Sequence, residues 1–124
     1  MPRFALLEHT AAPDDPAGRH YDLLLEAGGS CRTWRLAEIP VADGPPVAAV
    51  ELPPHRLAWL DHVAGAVSGG RGFARRVDGG ACRPLPADAA AGLRLALEGG
   101  ILRGRLAVDA VGAGWQVRLS TADV

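Results

Sequence analysis

The sequence predicts an all-β protein, a small closed or partly open β-barrel of about eight short, mainly antiparallel strands. Three observations carry this prediction. Apolar and polar residues alternate with the period of a strand over repeated stretches of six to eight residues. The 16 glycines and 10 prolines are scattered between those stretches, as many tight turns require. The chain has 124 residues, 48% of them hydrophobic, which supplies one core and no second one, so residues 1–124 are read as a single domain.

Taken in order, residues 3–9 form the first expected strand and 20–27 the second. Gly28-Gly29-Ser30 turns the chain into 31–37, giving a hairpin. Further strands are expected at 47–52, 55–62, 71–77, 93–98, 102–109 and 114–120. The last three alternate most cleanly. Leu93, Leu95 and Leu97, then Leu102, Leu106 and Val108, then Trp115, Val117 and Leu119 face a core, with Arg94, Arg103, Arg105, Gln116 and Arg118 in solvent. Ala-rich 87–92 allows at most one helical turn before its strand, while 40–46 and 65–72 read as loops.

Net charge is −1, so overall charge does not point to nucleic acid, although a local patch can still bind phosphates. All 13 basic residues are Arg, the better fork for a phosphate. No apolar run reaches the ~20 residues of a membrane helix, and the first residues lack the regions of a signal peptide. Cys31 and Cys82 have no metal-like spacing, so reduced thiols and a cytoplasmic protein are expected.

The chemistry concentrates in His20-Tyr21-Asp22-Leu23-Leu24-Leu25-Glu26. On a strand, Tyr21, Leu23 and Leu25 face the core, while His20, Asp22, Leu24 and Glu26 share the other face. Pairing of the first two strands brings His9 beside His20 and Asp22. Two imidazoles and a carboxylate form a three-ligand site with open positions for Mn²⁺, Fe²⁺ or Zn²⁺; the plainer alternative is a surface His-Asp pair in a hairpin. On a strand at 55–62, His55, Leu57 and Trp59 share a face; His55 is a general acid, a phosphate contact or an ordinary satisfied or surface histidine, and His62 reads more as the last. Gly69-Gly70-Arg71-Gly72 lets backbone approach a phosphate or simply turns the chain, and Arg75-Arg76 is a phosphate-binding or a solvated pair.

Pro2-Arg3-Phe4, Glu8-His9 and His20-Tyr21-Asp22-x-x-Leu25-Glu26 resemble the opening of the 3′-phosphoesterase domain of bacterial DNA ligase D. Gly29-x-x-x-x-Thr33-Trp34, His55-x-Leu57-x-Trp59 with Gly65, the stretch from Leu97 to Leu106, and Trp115 extend the resemblance over nearly the whole chain. It implies a compact β-barrel that uses Mn²⁺ to heal 3′ ends of DNA, removing a terminal ribonucleoside and then a 3′-phosphate. It further implies that His9, His20 and Asp22 hold the metal, that Glu26 is an active-site carboxylate and that His55 assists on the phosphate. Arg71, Arg75 and Arg76 are candidate contacts to phosphate or nucleic acid. The implied partners are DNA or RNA/DNA 3′ ends or another phosphoester, and a repair ligase or polymerase, with no membrane.

The departures are equally specific. The family's Arg on the His-x-Asp face is Leu24, its Tyr after the second His motif is Trp59, and its Lys after the Trp hairpin is Glu38. Losing one charge-assisted contact costs about 1.5–3 kcal/mol. Two other functions are therefore carried beside the hydrolase: a free-standing, catalytically degenerate relative that binds metal or nucleic-acid ends, and a non-haem iron enzyme using His20, Asp22 and His55 or His62.

Overall fold

Nine strands form in a computed structural model that describes residues 1–86 and 92–121. Residues 87–91, which include most of the segment expected to hold a helical turn, and residues 122–124 lie outside the described residues. The strands are β1 (Arg3–Thr10), β2 (Arg19–Ala27), β3 (Ser30–Leu36), β4 (Val47–His55), β5 (Ala64–Ala66), β6 (Phe73–Pro84), β7 (Leu93–Glu98), β8 (Arg103–Val111) and β9 (Gly114–Ser120). They pair in the order β1-β2-β3-β4-β9-β8-β7-β6, and β6 returns to β1. The expected barrel is thus closed, with eight antiparallel strands and β5 as an extra strand along the first part of β6. Among the described residues, no helix is long and apolar enough to cross a membrane.

Alternation fills the interior. Phe4 and Leu6 of β1, Leu23 and Leu25 of β2, Trp34 and Leu36 of β3, and Leu106, Val117 and Leu119 of β8 and β9 form one buried cluster. The expected solvated side chains of β7–β9 stay at least partly exposed. The opposite face of β1–β3 is buried as well. Ala5, Leu7, Leu24 and Cys31 form a second, smaller cluster on the outside of the barrel wall, capped by Leu60 with Leu57 and Trp59 against it.

That cap corrects the strand expected at 55–62. His55 is the last residue of β4, and Leu57–Asp61 is a short 3-10 helix. Pro53 and Pro54 cannot donate to the ladder, and the β3–β4 register is irregular there, between Thr33↔Leu52 and Cys31↔His55. Freed from the sheet, the chain folds back over the barrel wall. Two further differences come from glycine. The run 65–72 contains the end of β5 as well as a loop, and the strand expected at 71–77 is the longer β6, running through Gly79 and Gly80. Gly72 takes φ +92 against the backbone of Thr10–Ala12, where a Cβ would collide with the Thr10 carbonyl.

Asp78, in β6, is a buried carboxylate that ties the β7–β8 turn. It accepts hydrogen bonds from the backbone N–H groups of Gly100, Ile101 and Leu102 at 2.9, 3.0 and 2.6 Å. Cys31 and Cys82 are free and buried, and burial pushes the Cys82 thiol up to about 11, which keeps it unreactive near neutrality.

Candidate metal centre

The β1–β2 register places His9 directly opposite His20, and Asp22 is two residues along the same outer face. Their ligand atoms lie within 4.8 Å of one another. His9 Nδ1 is 3.5 Å from Asp22 Oδ2, and His20 Nε2 is 3.4 Å from Asp22 Oδ1. The two rings meet edge-on, with centroids 4.7 Å apart. His20 and Asp22 are buried and His9 is nearly so. The group could hold a metal ion.

The other nitrogen of each imidazole decides whether the donors suit a cation. His9 Nε2 lies 2.6 Å from the Arg71 carbonyl, to which it can only donate, so in the neutral ring Nδ1 is the bare nitrogen. His20 Nδ1 lies 2.8 Å from Asp15 Oδ2, and donation there leaves Nε2 bare. His20 Nε2 and Asp22 Oδ1 are both buried with no hydrogen-bond partner among the described residues. Two lone pairs and a carboxylate thus lie within 4.8 Å of one another, each histidine oriented by an acceptor behind it, as is usual for metal-bound imidazoles.

Charge follows the same geometry. Burial, the largest influence on His20, disfavours its cationic form, but the Asp22 and Asp15 carboxylates outweigh it and the pKa is raised from 6.5. A proton on His20 therefore takes the place a cation would occupy. The His20 hydrogen bond in turn holds the Asp15 carboxyl below its ordinary value. Asp15 was not among the sequence candidates. It lies in the loop before β2, where no alternation marks it. We expect Asp15→Asn to weaken metal binding about 10–100-fold without abolishing it, measured by calorimetric titration; wild-type affinity in that variant would remove Asp15 from the centre.

His9 and Asp22 line a cleft of about 670 Å³ together with Arg35, His55, Trp59 and Arg71. His55 Nδ1 is 3.1 Å from the Pro53 carbonyl, which leaves Nε2 for a ligand. Arg71 is pinned by its Nε to the Ser68 carbonyl at 2.7 Å. The remaining candidates are elsewhere. Glu26 sits six residues along β2 from His20, roughly 20 Å away at strand rise; it accepts from the Arg3 N–H at 2.9 Å and lines a separate, mainly apolar cleft. Arg75 pairs with Glu8 at 3.2 Å, and Arg76 donates to the Leu60 carbonyl, so neither lines the cleft. His62 Nε2 bonds the Ala74 carbonyl at 2.9 Å. The third member of the donor group is His9, not His55 or His62, which corrects the ligand set considered for a non-haem iron enzyme.

Fold and site together define a closed eight-stranded barrel bearing a two-histidine, one-carboxylate centre on its outer wall. No family model matches the sequence, and no curated protein is significantly similar to it.

Proposed function

We propose that the protein is a metal-dependent phosphoesterase acting on nucleic-acid 3′ ends or on another phosphoester, related to the end-healing domain of DNA ligase D. The observation that carries this reading is the His9–His20–Asp22 group, with both histidines oriented from behind and with His9 and Asp22 lining a cleft that also holds His55 and Arg71. The donor set suits Mn²⁺, with Zn²⁺ or Fe²⁺ also compatible.

A divalent cation held by these three residues would neutralise a phosphoryl oxygen and acidify a water. The chain supplies the rest. His55, its ring held through Nδ1, presents Nε2 to the leaving oxygen as the general acid. Arg71 contributes positive charge at the rim, and Trp59 offers an apolar wall to a sugar or base. The free, buried thiols fit a reducing cytoplasm, and the repair context suggests a ligase or polymerase as partner.

The test is turnover of primer-templates ending in a 3′-phosphate or a single 3′-ribonucleotide, with Mn²⁺, Zn²⁺ or Fe²⁺ added to purified protein. We expect release of the terminal group, slowed at least about 100-fold by His55→Ala. No turnover with any of the three metals would overturn the hydrolase. Leu24, buried in the outer apolar cluster, and Glu26, remote from the donors, favour a second reading as a non-catalytic relative. Metal-dependent binding of the same ends without turnover is its signature.

A further inference from the structure

Arg35 of β3 is paired in register with Asp22, and so stands on the same outer face beside the donor group. It lines the cleft with His9, Asp22, His55 and Arg71. Its Nε is buried with no hydrogen-bond partner among the described residues. Its terminal nitrogens both lie 3.4 Å from one carboxylate oxygen of Asp14, a long contact to a side chain that is 70% exposed. A guanidinium offers five donors in a planar fork, and here that fork is poorly used.

With a metal bound, the placement is costly. A cation at His9, His20 and Asp22 would face a fixed positive charge one strand away in a half-enclosed cleft, where repulsion is weakly screened. A tetrahedral oxyanion resolves this, with one oxygen toward the cation and others on the guanidinium, in the bidentate geometry that Arg forms with phosphate.

We propose that Arg35 is the guanidinium that receives the ligand's phosphate, and that Asp14 is its resident stand-in, displaced when phosphate arrives. This rests on the metal-centre reading above and extends it to the anion. The loop before β2 then carries two adjacent acids with opposed effects: Asp15 supports the donor His20, whereas Asp14 competes with the ligand for Arg35. Position 24, which the sequence resemblance would have made the clamp, is an apolar packing position; the charge is supplied from the neighbouring strand instead.

The experiment is calorimetric titration of inorganic phosphate into full-length protein with and without saturating Mn²⁺, for wild type, Arg35→Gln and Asp14→Asn. Mn²⁺ is expected to tighten phosphate binding in the wild type. Arg35→Gln should weaken phosphate about 10–100-fold while binding Mn²⁺ alone at least as tightly as wild type, since a neighbouring positive charge is gone. Asp14→Asn should tighten phosphate about 1.5–5-fold, the opposite sign. Wild-type phosphate affinity in Arg35→Gln overturns the proposal, as does unchanged or weaker affinity in Asp14→Asn. Should Arg35→Gln fail to fold, as read by its melting transition, Asp14→Asn alone decides by the sign of its effect. Absence of Mn²⁺ binding in the wild type strikes the metal centre, not Arg35. Phosphate titrated into metal-free protein then decides, with binding lost in Arg35→Gln supporting the clamp and no binding at all overturning it.

Discussion

Adding Mn²⁺ to metal-free protein at about 100 times its dissociation constant should raise the thermal midpoint by about 10 °C, and should do nothing to a His20→Ala, Asp22→Ala double variant. The magnitude follows from linkage, which gives ~2.7 kcal/mol at that excess, and from the several degrees per kcal/mol typical of a domain this size. Acidity sharpens the test. Because the His20 pKa is raised in the folded state by its two carboxylate neighbours, against the effect of burial, protonation stabilises the metal-free fold. That contribution is complete below the ordinary value of 6.5 and is lost as pH climbs through the folded-state pKa. Metal needs His20 neutral, so its own stabilisation runs the other way. The midpoints of metal-loaded and metal-free protein should therefore spread apart as pH rises through and above 6.5. A separation independent of pH, or a double variant that still responds to Mn²⁺, would remove the centre.

Replacing Asp78 by Ala should lower stability by about 3 kcal/mol and the midpoint by roughly 10–15 °C, with no change in metal affinity. One carboxylate serves the N–H groups of Gly100, Ile101 and Leu102 and so fixes the entry to β8. Removing it leaves the buried Leu102 N–H and two part-buried donors without their acceptor, at a place where Gly99 packs directly on Asp78 and Phe4. Urea denaturation measures the loss. A variant within about 0.5 kcal/mol of wild type would mean that the turn closes without its acid.

Strand alternation made most of the barrel legible. β7 and β9 have the bounds that their Leu, Val and Trp spacing predicts, and β1, β2 and β3 differ only at their ends. What hid the rest is specific. The proline pair disturbs the register near the end of β4 and a 3-10 cap follows, but Leu57, Trp59 and Leu60 keep enough apolar character to pass for a strand. Glycine concealed β5 and the second half of β6, since a residue without a side chain adds nothing to an alternation. At the site, His9, His20 and Asp22 followed from period two and one assumed strand pair. Arg35 was within reach: the two-residue turn at Gly28-Gly29 pairs Ala27 with Ser30, and counting back from it sets Arg35 opposite Asp22. Asp14 and Asp15 lie in a loop, where only the folded backbone decides what they touch. Glu26 shares the strand face of His20, but a common face says nothing about distance along it.

The donor group and the main core of this protein occupy opposite sides of one wall, while the smaller cluster around Leu7, Leu24 and Leu60 packs on the donor side. Trp34, Phe4 and the leucines that hold the barrel together point inward, while the donor group, Arg35 and His55 meet outside it. Only a sheet one residue thick separates them, and alternation gives neighbouring positions to different tasks. The interior can swap one aliphatic shape for another without moving the donor group, and the cleft-lining residues outside can be exchanged without opening a hole in the main core. Stability of the core and composition of the cleft are thus written at alternate letters of the same strands.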